Sequence, residues 1–165
     1  MSNNKDKLRA WKAEHPPLPV PDRNKMVAAL KTEVVPQIRK NGFSGSFPHF
    51  RRIGSTKTDC ITFQFDKYGG GFVVELGEGP TDELVYPWGE KKPANKLTAH
   101  DLDLARRTRL AIGPPSAGEK WFRYDTGTDE ACASAAKEVL LLLPQVEAWF
   151  RGERPQHNVR PLLCE

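Results

Sequence analysis

The side chains best suited to chemistry in this sequence are arginines gathered around one carboxylate, one amide and one hydroxyl: Arg51, Arg52, Thr62, Gln64, Glu75, Arg107, Arg109 and Arg123. Successive side chains of a strand point to opposite faces. Thr62, Gln64 and Glu75 therefore fall on one face of a sheet whose other face carries Ile61, Phe63, Phe65, Phe72, Val74 and Leu76. Arg51 or Arg52, with Arg107, Arg109 and Arg123, is expected to join the polar face. A guanidinium is a planar fork of donors that grips a carboxylate or phosphate through two parallel hydrogen bonds, so a solvent-facing sheet of this make-up would dock an anionic group. On such a face Arg107 and Arg109 would be removable with almost no change in melting temperature. The same residues also read as cross-strand Arg–Glu ladders on an ordinary solvated sheet.

Other chemistry is sparsely provided for. Cys60, Cys132 and Cys164 are odd in number and far apart, which is neither a disulfide framework nor a thiolate metal pattern. His15, His49, His100 and His157 include no pair four apart on a helix, so no metal and no cofactor are expected. The stretch GGGFVVELGEG runs from a turn into a strand, whereas a phosphate loop must open onto a helix N-terminus. No nucleophile elbow or zinc-binding helix motif occurs. Binding therefore ranks ahead of catalysis.

With 165 residues, 38% hydrophobic and 28% charged, the chain suits one folded domain rather than disorder. The net charge of +4 permits an acidic protein face or nucleic acid as partner. Trp11, Tyr68, Tyr86, Trp88 and Trp121 lie among basic residues, as stacking platforms for bases would. Yet no RNA-recognition signature, zinc module or basic helix accompanies them. Another protein is thus the expected partner, and nucleic acid the alternative. A membrane is not expected, because the longest apolar run, 139–143, is far too short to span one. The polar start of the chain has no signal-like apolar region, so the expected compartment is the cytoplasm.

The positioning elements follow from periodicity. Residues 5–14 form a short helix, and HPPLPVPD over 15–22 enforces an extended connector. Asp22 caps a second helix whose stripe is Met26, Leu30, Val34 and Ile38, broken or kinked at Pro36 and stopped at Asn41-Gly42. Phe43, Phe47, Phe50 and Arg51-Arg52 make a first strand. Residues 61–65 and 72–76 then alternate across Gly69, Gly70 and Gly71 as a hairpin. Residues 78–98 read as a long loop, the second half of 102–112 as a strand, and 119–125 as a last strand. Thr128 or Asp129 opens a closing helix with Val139, Leu143, Val146 and Phe150 inward, bent or split at Pro144. The expected architecture is α+β: an antiparallel sheet of about four to five strands with N-terminal and C-terminal helices on one face. It divides into a basic arm and Pro-rich linker (1–21), one domain (22–151) and a polar tail (152–165).

Val35-Pro36, Gly42-Phe43, Phe50-Arg51-Arg52 and FQFDKYGGGFVVELG together resemble the bacterial domain of unknown function 4304. Arg107-Thr108-Arg109-Leu110 and Lys120-Trp121-Phe122 stand for that family's later Arg-x-Arg-Leu segment and tryptophan strand. The resemblance spans roughly residues 26 to 150, and Glu75 replaces the family's usual asparagine before Leu-Gly. It implies an architecture rather than a chemistry. Such domains are similar in style to the immunity proteins carried beside bacterial toxins. The leading expectation is accordingly a non-enzymatic, toxin-neutralising type of binding protein; a basic nucleic-acid binder and an enzyme with a dispersed site are the alternatives.

Overall fold

The computed structural model describes residues 3–114, 116 and 121–162. Cys164 and the first two residues of the strand expected over 119–125 lie outside them. Helix α1 (Asn4–Glu14) is followed by the extended proline-rich connector. Asp22 then accepts a hydrogen bond from the Lys25 amide at 3.1 Å and opens α2 (Arg23–Glu33). Pro36 breaks the stripe as its missing donor requires: α2 ends at Glu33, and α3 (Val35–Lys40) restarts with the proline in its first turn, where no donor is needed. Thr128 caps α4 (Asp129–Phe150), which runs unbroken through Pro144 rather than splitting there.

The sheet is larger than expected. Its order is β1 (Ser44–Ser46), β2 (His49–Ile53), β3 (Thr58–Phe65), β4 (Gly71–Gly79), β7 (Arg107–Leu110) and β9 (Val159–Pro161), with β8 (Phe122–Arg123) also on β4. All the pairings are antiparallel. The single first strand anticipated before Arg52 is thus two, and the 119–125 segment supplies only two strand residues among those described. The segment after Gly152, set apart in the sequence as a polar tail, contributes the edge strand β9.

One face of the sheet meets the helices. Phe50, Ile61 and Leu76 lie in one cross-strand row and Phe63, Val74, Leu110 and Val159 in the next. Against them pack Met26, Leu30, Val34 and Ile38 from the α2–α3 stripe and Val139, Leu143, Val146 and Phe150 from α4, all buried. The apolar stripes dictate this layer, because each element can hide its hydrophobic side only against the other.

The opposite face is covered over much of its area, which corrects the reading of 78–98 as a plain loop. That segment holds a small hairpin, β5 (Glu83–Val85) with β6 (Lys91–Pro93), followed by tight turns over Ala94–Lys96, Ala99–Asp101 and Leu104–Arg106. The turns lie across β2, β3, β4 and β7. Ala94, Leu97 and Ala99 bury themselves against Cys60, forming a second, smaller core. Glycine makes this approach possible. A Cβ on Gly77 would stand 2.6 Å from the Leu102 side chain, and one on Gly79 would stand 2.9 Å from that of Leu97.

Candidate functional site: a polar row beneath a covering turn

Strand register assembles one row of side chains across five strands. His49 opposes Thr62, Thr62 opposes Glu75, Glu75 opposes Arg109, and Arg109 opposes Arg160. The next row on the same face is Arg51, Cys60, Gly77 and Arg107. Five of the expected site residues, Arg51, Thr62, Glu75, Arg107 and Arg109, are therefore brought together. The row turns inward, however. Glu75 is only 2% exposed and Thr62 is fully buried.

Glu75 is the centre of the arrangement. One carboxylate oxygen accepts from Arg109 at 2.8 Å, and the other from Arg107 at 3.1 Å. His100, on the covering turn, places Nε2 3.3 Å from the second oxygen. A carboxylate taken out of water needs such partners, since an uncompensated buried charge is strongly unfavourable. Thr62 Oγ1 accepts from the Ala99 amide at 3.0 Å and lies 3.3 Å from His49 Nδ1. Arg51 reaches over the sheet to donate to the carbonyls of Leu97 at 2.7 Å and Asn95 at 2.9 Å. These polar groups bind the covering turns to the sheet, so the structure sets Arg51, Arg107 and Arg109 to internal partners.

The remaining expected residues go elsewhere. Arg52 faces the helices: it pairs with Asp59 at 2.8 Å and with Glu147 of α4 at 2.9 Å, and its guanidinium lies 4.4 Å from the Phe43 ring centroid. Arg123 is exposed on β8 and pairs with Asp125. Gln64 is exposed on β3. The histidines 49 and 100, absent from the expected set, stand with their ring centroids 6.3 Å apart, edge to face. His49 was discoverable, being two residues before Arg51 and so on the same strand face. Burial, and then the neighbouring His100, Arg51 and Lys92 against the opposing pull of Asp101, push the His49 imidazole below its ordinary range. Burial pushes the Cys60 thiol up to about 12, which makes it an inert core group. Among the described residues no group of three or more His, Cys, Asp or Glu side chains comes together as a metal site.

Asp101 joins the covering turn to the β5–β6 hairpin. It accepts from Lys92 at 2.7 Å, Tyr86 Oη at 2.8 Å and the Thr98 amide at 2.7 Å. Burial alone would raise its carboxyl, but the Lys92 and Thr98 donors and the Tyr86 hydroxyl outweigh that and hold it below the ordinary carboxylate range. The stabilisation this confers is present above about pH 4, the unfolded value, and is lost as pH falls through the lower folded value. Asp101→Asn should accordingly lower the melting temperature at neutral pH, with the gap to wild type closing in acid. A gap independent of pH would show that the carboxylate charge is not what ties the hairpin down.

The tip of the hairpin carries an aromatic pair. Trp88 is 71% exposed and stacks on Tyr86 with centroids 4.7 Å apart and planes within 7°. Its indole donates to Glu90 at 3.0 Å. Burial and then the Asp101 hydrogen bond push the Tyr86 phenol up to about 12, so it stays a donor to Asp101.

No helix among the described residues is long and apolar enough to cross a membrane. No curated protein and no solved structure matches the chain. A family model, that of a domain of unknown function (DUF4304), matches residues 34–151, which takes in every strand from β1 to β8 and the whole of α4. With most of its length under that match, and with the FQFDKYGGGFVVELG hairpin at the centre of the sheet, the chain belongs to the DUF4304 family.

Proposed function

We propose that the chain is a non-enzymatic binding protein whose partner is another protein, of the type that neutralises a toxin by occupying it. The observation that carries this reading is the pre-ordered aromatic tip formed by Trp88 stacked on Tyr86. Interfaces draw most of their affinity from a few rigid aromatic and arginine anchors, and an anchor already held in place loses little entropy on docking. Here the turn is closed by the Gly89 amide on the Tyr86 carbonyl and fixed from below by Asp101. In this reading the Glu75–Arg107–Arg109 cluster is the support of the surface rather than its contact, and the groups that meet the partner are Trp88, Gln64 and His100. A neutralising role suits such a surface, because it requires rigidity and affinity rather than catalysis.

The test is capture from the source lysate on immobilised wild type and Trp88→Ala, at low and high salt. A single protein held at high salt by wild type and lost at least about tenfold in the variant, with the melting temperature unchanged, is the expected result. Equal capture by both would end the assignment of Trp88. Nucleic acid released as salt rises would move the tip to a base-stacking role.

A further inference from the structure

Helix α1 is the one helix of the described chain with no buried residue. Leu8 and Trp11, three apart and so on one face, are 54% and 56% exposed. An isolated helix of this length is marginal in water, and most helical stability comes from packing an apolar face. Trp11 is met by the His15 ring at the helix's own C-terminal end, stacked with centroids 4.7 Å apart, and among the described residues no residue of the helix is buried against the body. The connector over 15–22 explains why: Pro16, Pro17, Pro19 and Pro21 make it an extended, semi-rigid stalk, rising about 3.1 Å per residue. Its last residues are seated on the body, Val20 beside Gly127 and Pro21 beside Gly69 and Gly70, and the prolines before them carry the chain on in extended form to the helix.

The same chain carries a matching receptor. Between α2 and α4 runs a depression of about 280 Å³ floored by Ala28, Ala29, Cys132 and Ala133. Small side chains on two neighbouring helices leave a trough into which a bulky ring can pack. Its rim carries Glu33, Asp129 and Lys25, the last paired with Asp129 at 3.3 Å, and Glu130 lies exposed beside them, so the carboxylates outnumber the one lysine. The arm is basic, with Lys5, Lys7, Arg9 and Lys12 against Asp6 and Glu14. The net charges of arm and rim are thus of opposite sign, with Glu33 and Glu130 left to meet the arm's lysines and arginine.

We propose that α1 is an exchange arm: it lays Leu8 and Trp11 into the α2–α4 groove of a second copy of this chain, and receives that copy's arm in return. The stiff stalk favours the second copy over the arm's own body. Reciprocal docking about a two-fold axis uses each arm and each groove once, which closes the assembly at a dimer. Each arm is small beside a standard interface of about 800 Å² per partner, so the dimer should form in the micromolar range.

The experiment is the solution mass of the full chain by light scattering over about a hundredfold range of concentration, for wild type, Trp11→Ala and Ala133→Arg. Trp11 and Ala133 are exposed, so both variants should melt as wild type does. Wild type is expected to pass from the monomer mass of 18.5 kDa to twice that value, while each variant stays monomeric. Mixing the two variants should restore a dimer, at least about tenfold weaker, because one intact arm then meets one intact groove. Wild type that stays monomeric throughout overturns the proposal, as does a Trp11→Ala or Ala133→Arg protein that dimerises like wild type.

Discussion

Exchange of Arg107 and Arg109 together for alanine is expected to destabilise the fold by about 3–5 kcal/mol, the usual cost of stripping partners from a buried charge. Among the described residues Glu75 would keep the ion-pair partner His100 alone, at 3.3 Å. The side chains of the two arginines are 18% and 17% exposed, so solvent cannot readily replace them. Adding Glu75→Gln to the double variant should recover part of the loss, since the orphaned charge is then gone. Urea midpoints at constant slope read both effects. A third substitution that recovers nothing would mean that the arginines act through the packing of their stems, not through Glu75. This reverses the expectation for an open sheet face, where the two arginines would be dispensable for stability.

Gly77→Val should cost about 1–3 kcal/mol, the range for overpacking a well-filled core. The first carbon added at that position meets Leu102 at 2.6 Å, and the Ala99 Cα and the Arg106 carbonyl stand at 3.5 Å behind it. Gly77→Ala should be milder, because the Leu102 terminus can rotate away whereas the turn backbone cannot. The valine variant should also lift the covering turn, so the Ala99 amide, now held by Thr62, would exchange its hydrogen faster. Unchanged protection at Ala99 with normal stability would show that the turn does not depend on the missing side chain.

These two expectations mark the line between what was legible in the sequence and what was not. The stripe Met26–Leu30–Val34–Ile38 and the alternation of Ile61, Phe63 and Phe65 are periodic, and periodicity reports a buried face directly. All but Phe65 of these are buried as anticipated. The covering layer has no period to read. It is held by contacts distant in sequence, such as Arg51 to Leu97 and Thr62 to Ala99. Its signals were of another kind: Cys60 and Val73 are apolar on the supposedly wet face, and Gly77 and Gly79 bare one stretch of β4. For the site, alternation correctly placed Thr62, Glu75, Arg107 and Arg109 on one face, but alternation says nothing of what lies above that face. Of Arg51 and Arg52, either of which was expected on that face, Arg51 joins it and Arg52 turns to the helices. The Arg52 guanidinium lies over the Phe43 ring while it pairs with Glu147, so an arginine at the rim of a core is compatible with either face.

The edge strand β9 bears on how the protein is handled. Its three residues pair with β7 at Thr108, Arg109 and Leu110, and they lie beyond residue 151, where the family match stops. An expression fragment cut at that limit would keep every helix yet strip β7 of its outer neighbour, leaving it paired on the β4 side alone. The amides and carbonyls left bare there would be a template for strands of other molecules, and the fragment would be prone to aggregate. The unit to express in a soluble state therefore extends at least through Pro161, further than similarity alone would draw it.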